Sequence, residues 1–491
     1  MLWRKRPSTI LAYFLVAVIL LVVPFRVLRT ATSPPIPSSH NSADEPDFWE
    51  WDTTTRFSRG KDSQVENDRL CDAFPTEILS QIQVVLKIGS SEPADRINTQ
   101  ISTVTRCITN LLIVSDRESE LHGHRVHDIL ATLPESFRAN TSDFEWYDAF
   151  RQGQAESPDD NGRLGWNLDR FKFLPMVEQA FGVNPTAKWF VFLESDTYIV
   201  WDNLFRMLDH FDPSVPMYMG SPSPGRHTEE DVTTWFAYGG AGFVLSFAAI
   251  EKLVSRKIGS HGAYLQPSLS MQYEDLIKND RCGDSVLGWA LYEKGVKLMG
   301  MWPMFNPHAL HSVPFGGAHW CQPVISMHKT LLPDMEGLTT FENQRNWKVR
   351  HSMSHLLRYF HDLLTRNYFL QYPLLYADLF DYLKMGSFEH LRDFDNADWG
   401  GWSEPPESPA HTSFEACSTT CHDHPECLSY TYNSSGHCFF IRTVRLGSKK
   451  TSVDSGERMT AGWDLAKIQS WRVNNQCEKP RWVKPSITRI F

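Results

Sequence analysis

An unbroken apolar run that ends in acids constrains this chain most. It reads Lys188-Trp189-Phe190-Val191-Phe192-Leu193-Glu194-Ser195-Asp196-Thr197-Tyr198. Five consecutive apolar residues with no polar alternation predict a strand buried on both faces of a mostly parallel sheet. Ligands gather at the carboxyl ends of such strands. Carboxylates placed there can hold a divalent cation, and a cation can clamp a diphosphate. The plainer reading is a surface turn after a core strand, because short motifs are weak evidence by themselves.

Further motifs follow in order. Asp202-Asn203-Leu204 opens an apolar-periodic stretch that leads to Tyr218-Met219-Gly220. Then comes Trp235-Phe236-Ala237-Tyr238-Gly239-Gly240-Ala241-Gly242. Its glycines allow close backbone approach or positive φ. Gly283-Asp284-Ser285-Val286-Leu287-Gly288 is a second acidic turn before an apolar segment, and His328 follows a short strand-like run, Pro323 to Met327. Together these motifs resemble glycosyltransferase family 31, the fringe-like and core 1 β-1,3-galactosyltransferase-like enzymes. The resemblance covers roughly residues 80 to 335, the scale of one α/β domain.

The resemblance implies a GT-A-type, Rossmann-like α/β domain with a mixed sheet. It also implies an inverting transfer from a UDP-sugar, galactose before N-acetylglucosamine, in β-1,3 linkage to a glycan or glycoprotein. Asp196 and His328 become the expected ligands of Mn²⁺ or Mg²⁺. Imidazole favours the transition metal. Asp284 becomes the general base that takes the acceptor hydroxyl proton, with helix N-capping as its bland alternative. Lys87, Gly89, Asp116, Glu194 and Ser195 are the expected donor contacts. Trp235, Tyr238, Gly239, Gly240 and Gly242 form the expected substrate loop. Ser195 departs from a triplet of three aspartates and lowers the charge there. Trp166, Asp169 and Lys172, before the buried strand, match a family pattern, and core packing accounts for Trp166 equally well.

The ends carry other signals. Arg4, Lys5 and Arg6 precede an apolar run from Ile10 to Val23. Basic residues before an apolar segment predict a cytoplasmic N-terminus. The expectation is a tail over 1–8, a signal anchor over 9–28 and a Pro/Ser/Thr-rich stem over 29–65, giving a single-pass type II Golgi membrane protein. A cleaved signal peptide is the alternative. The formal net charge of −10 argues against a nucleic-acid partner.

Nine cysteines fit an oxidising lumen, and the odd total leaves at least one unpaired within the chain. Cys417, Cys421, Cys427 and Cys438 cluster beside Leu428-Ser429-Tyr430-Thr431-Tyr432. Spacing alone allows three pairings, and zinc is a competing use. The segment resembles a PAN/apple module, a small α+β fold that binds proteins or carbohydrates. That resemblance implies Cys417–Cys438 and Cys421–Cys427. Asn140 and Asn433 head N-glycan sequons. The remaining boundaries are a catalytic domain over 66–337, a helical extension over 338–402, a linker and PAN/apple-like module over 403–480, and a tail over 481–491. The rival function is a non-catalytic lectin-like or adhesion protein. A two-carboxylate glycoside hydrolase is a third reading.

Overall fold

The computed structural model describes residues 47–51, 57–58, 71, 76–139, 142–152, 163–261, 264–352, 368–369, 373–450 and 456–489. The apolar run from Ile10 to Val23, most of the stem, Asn140 and the Leu356 to Leu364 stretch lie outside them. Among the described residues no helix is long and apolar enough to cross a membrane.

Eight strands form one mixed sheet: β1 (Ile82–Lys87), β2 (Leu111–Ser115), β3 (Ser119–Leu121), β4 (His124–Asp128), β5 (Trp189–Glu194), β6 (Tyr218–Gly220), β7 (Phe243–Ser246) and β8 (Leu298–Gly300). Their order is β8-β6-β7-β5-β1-β2-β4-β3. β5, β1, β2 and β4 run parallel, and β7 runs antiparallel between β5 and β6. The central strands are apolar because helices or loops cover both faces. Val85, Phe190 and Phe192 point into one core cluster, and Val84, Leu86, Val191 and Leu193 into the other. Phe192 stacks on Phe243 across the β5–β7 pair at 4.6 Å. Each fully buried Phe of this kind contributes about 2–3 kcal/mol.

The register decides where chemistry can occur. Lys87 at the end of β1 stands opposite Glu194 at the end of β5 and Val114 near the end of β2. Three parallel strands therefore finish at one level. Helix α1 (Phe173–Val183) packs below that edge, and helix α2 (Gly283–Glu293) starts beside it.

The C-terminal region mixes helices and short strands. The 338–402 stretch is helical at Leu332–Ser352 and Tyr376–Tyr382, but His390–Arg392 is the edge strand of a four-stranded antiparallel sheet. Its other strands are Met459–Trp463, Ser429–Asn433 and His437–Ile441. The linker is ordered too, since Trp402 pairs with Phe440 and Pro409–His411 is helical. Helix Phe414–Asp423 crosses the sheet, held by Cys417–Cys438 and Cys421–Cys427. All four sulfurs are in disulfides, so none is left as a thiolate for zinc. Cys71–Cys107 and Cys321–Cys477 account for four more, and Cys282 is the free thiol.

Two expected appendages are parts of the fold. Trp482–Val483, in the expected tail, pairs with Phe48–Trp49, in the expected stem, and Trp482 is fully buried. Aromatic density in both segments supplies the apolar area that composition alone hid. Phe48, Trp49, Leu428, Val444, Trp463 and Trp482 join the same core cluster as Ile82 and Val84 of β1. Asn433, the expected glycan site, lies at the end of the strand Ser429–Asn433. It is 8% exposed, and its Nδ2 donates to Glu457.

Candidate active site

The acidic turn after β5 is pinned from three sides. The Glu194 N–H donates to Thr197 Oγ1 (3.1 Å), and Thr197 Oγ1 donates to the Gly240 carbonyl (2.8 Å). Gln100 Nε2 donates to the Thr197 carbonyl (3.1 Å), and the Thr330 N–H to that of Asp196 (3.0 Å). The turn is thus fixed to the glycine loop and to the loop after His328.

His328 arrives by strand pairing. Ser326–Met327 lies antiparallel to Tyr198–Ile199 and parallel to Phe305–Asn306. That places His328 Nε2 3.5 Å from Asp196 Oδ1. Glu194, Asp196 and His328 each offer a ligand atom, all within 4.8 Å of one another. Burial, opposed by the Asp196 and Glu194 charges, lowers the His328 pKa and favours the neutral imidazole. A metal requires that form. The backbone of Pro307 lies against the imidazole as a hydrogen-bond acceptor. Two carboxylates and an imidazole fit a divalent transition cation.

The glycine loop is shaped around this histidine. A Cβ on Gly240 would lie 2.3 Å from His328 Nε2, so only glycine fits. Gly242 has φ +72°, which favours glycine as well. Tyr238 meets the imidazole edge-on at 5.2 Å. Burial, then the charges of Glu194, Asp284 and Asp196, push the Tyr238 hydroxyl up to about 12. Trp235, part of the expected loop, is partly buried against the core cluster that holds Phe190 and Phe192.

Asp284 is the second residue of α2 and not its cap, since Cys282 holds the cap position. Asp284 Oδ2 accepts the Gly239 N–H at 2.9 Å, and Oδ1 accepts the Ser285 N–H at 2.9 Å. Burial pushes its carboxyl up to about 6, and the nearby Glu194 charge adds to this, against the pull of the two N–H bonds and Lys87. A buried carboxylate near neutrality suits general base work.

The expected donor contacts also converge, but not all face a ligand. Lys87 pairs with Asp169 and with Glu194 (3.1 Å), and lies over the Phe173 ring at 4.6 Å. Asp116 is fully buried. Its oxygens accept from Ser90 N (3.0 Å), Ser90 Oγ (2.6 Å) and Lys172 Nζ (2.8 Å). Burial would raise Asp116, yet Lys172 and Ser90 hold it at about 2. Lys87 and Asp116 therefore build the wall and the Gly89 turn. Glu194, Asp196, Tyr238 and Asp284 stand at its open edge. Trp166 is 57% exposed, so core packing does not account for it. Sequence reasoning passed over Glu92. Its Oε1 accepts the Gly89 N–H at 2.6 Å, and its Oε2 accepts the Ser195 hydroxyl.

Residues 116–299 match the model of the Fringe-like family. The span includes the triplet, the glycine loop and Asp284, and stops before His328. The Fringe glycosyltransferase of Drosophila melanogaster is 32% identical over 99 residues, covering 18% of this chain and 24% of that protein. The β-1,3-N-acetylglucosaminyltransferase lunatic fringe of Xenopus laevis is 29% identical over 182 residues, covering 35% of this chain and 43% of that one. The chain thus spans less than half the length of these curated relatives. A solved glycosyltransferase involved in glycosylation of the PBCV-1 major capsid superposes with TM-score 0.24 and 13% identity, over 53% of this chain and 99% of that one. That overlay is too loose to add to the argument.

Proposed function

We propose that this chain is an inverting glycosyltransferase that moves a sugar from a UDP-sugar to a hydroxyl of a glycan or glycoprotein. The observation that carries the reading is the gathering of three acids in unlike settings around Tyr238. Asp284 is buried and pushed towards neutrality, and Glu194, Asp196 and His328 converge on one point beside it. Unlike environments for neighbouring acids mark unlike roles. The names of the fringe relatives support N-acetylglucosamine over galactose as the transferred sugar, and β-1,3 linkage.

Asp196 and His328 would hold Mn²⁺ or Mg²⁺, which when bound offsets charge on the leaving diphosphate. Asp284 takes the acceptor hydroxyl proton as the new bond forms on the face opposite the diphosphate, which inverts the anomeric centre. The Gly239 and Ser285 N–H groups each hold one Asp284 oxygen, and each oxygen keeps a second lone pair for the acceptor hydroxyl. Tyr238 closes the space between Asp284 and His328 and excludes water. The cysteine pattern supports a PAN/apple-like C-terminal unit, and Arg4 to Arg6 with the Ile10 to Val23 run supports anchoring in the Golgi membrane. The deciding experiment measures UDP release from UDP-N-acetylglucosamine and UDP-galactose, with and without Mn²⁺. The reading fails if neither donor turns over under any cation.

A further inference from the structure

The Glu-Ser-Asp turn has a fourth acid that comes from elsewhere in the chain. Glu92 lies in the Gly89-Ser90-Ser91-Glu92-Pro93 segment between β1 and helix Ala94–Ser102. One of its oxygens accepts the Gly89 N–H, and the other accepts the hydroxyl of Ser195, which is 2% exposed. We propose that Glu92, acting through Ser195, is a positioning residue for the divalent cation and diphosphate. The inference rests on the glycosyltransferase reading above.

Charge accounting supports it. Glu194 is paired with Lys87, and Lys172 is paired with Asp116. Among the described residues no Lys or Arg nitrogen forms an ion pair with Glu92. Asp196 and Glu92 are therefore the acids at this turn with no Lys or Arg nitrogen at ion-pair distance, although the Lys172 and Lys87 charges still act on Glu92 from further off. A half-buried carboxylate held only by hydrogen bonds and more distant lysines is costly, and a bound cation lowers that cost. The geometry gives Ser195 its part. A serine hydroxyl has one proton and two lone pairs. With the proton committed to Glu92, both lone pairs point away from it. The hydrogen bond to a carboxylate is charge-assisted and makes the serine oxygen a better acceptor. The charge missing from the middle of the triplet is thus returned by a residue about 100 positions away in sequence.

The test measures Mn²⁺ binding in the presence of UDP by loss of the free Mn²⁺ paramagnetic resonance signal, separately from turnover. Glu92→Gln keeps the shape and an oxygen for Ser195 but removes the charge. Its Mn²⁺ affinity should fall about 10- to 100-fold, as for other residues that orient metal ligands. In turnover, the Mn²⁺ concentration for half activity should rise equally, with kcat at saturating Mn²⁺ nearly retained. The swap adds an independent arm. Ser195→Asp alone sets two carboxylates in contact and should weaken binding, and Ser195→Asp with Glu92→Ser should recover it. Wild-type affinity in both Glu92→Gln and Glu92→Ala overturns the inference, as does a double variant no better than Ser195→Asp. Thermal unfolding checks that each variant folds. Weakened Mn²⁺–UDP binding in Glu92→Gln, with no sugar transfer by the wild type, would instead uphold the inference and sink the proposed function.

Discussion

Asp284→Asn gives opposite signs in two assays. At Asp284 the ordinary value of 3.8 is pushed to about 6. At 1.36 kcal/mol per pH unit, that difference corresponds to about 3 kcal/mol. The sign follows from linkage. A carboxyl with a raised folded value binds its proton more tightly when folded, so stability is fully present below 3.8 and falls as pH rises through about 6. Asparagine keeps an acceptor for the Gly239 N–H, gives up the one for the Ser285 N–H, and carries no charge. The variant should therefore be more stable than wild type at pH 7.5, by at most about 3 kcal/mol, and no more stable at pH 3.5. Activity moves the other way. Only ionised Asp284 accepts a proton, so wild-type kcat/KM should rise about tenfold per pH unit below about 6 and level off above it. Asp284→Asn should lose this limb and about 10²- to 10⁴-fold in rate, with little change in donor affinity. Urea unfolding at both pH values and a pH–rate profile are the measurements. A variant no more stable at pH 7.5, or a limb near 4, would refute the buried-base argument.

Three further outcomes are expected. Asp196→Ala and His328→Ala should each abolish Mn²⁺ binding in the resonance assay while thermal unfolding stays cooperative; unchanged turnover in EDTA would remove the cation from the reaction. Gly240→Ala would bring a methyl within 2.3 Å of His328 Nε2 and should displace the imidazole, so Mn²⁺ binding should weaken without touching any ligand; wild-type affinity would show that the loop yields. Protein from a secretory host should carry no glycan at Asn433, because its amide nitrogen is committed to Glu457; a mass increase on the peptide containing Asn433 would contradict the buried placement.

The core of the sheet and most of the site were legible for a common reason. Each of Asp196, Gly240, Asp284 and His328 sits beside a local pattern that predicts its element: a continuous apolar strand, a glycine loop, a helix start, a short strand. What escaped depends on contacts between distant segments. Ser90-Ser91-Glu92-Pro93 reads as an ordinary surface turn, and nothing local says that Glu92 reaches Ser195. Asp116 was expected among the donor contacts from the family resemblance, and nothing local says that Lys172 and Ser90 draw it wholly inside. The strand His390-Leu391-Arg392 escaped because three residues are too few to show alternation. Its partner, Met459–Trp463, lies far along the chain.

The shared core also bears on how such a protein can be inherited. Trp320 Nε1 donates to the Asn475 carbonyl, Cys321 is bonded to Cys477, and the Arg481 N–H donates to the Cys321 carbonyl. These bonds tie the C-terminal sheet to the segment just before His328. A disulfide-stapled unit elsewhere can be gained or dropped by recombination at a linker. Here a break near residue 403 would strip Trp463 and Trp482 from the cluster that also holds Ile82 and Val84 of β1. A premature stop in the last third should leave an insoluble chain rather than an enzyme without an accessory part. Variation in this lineage should accumulate by substitution within the unit and not by its exchange.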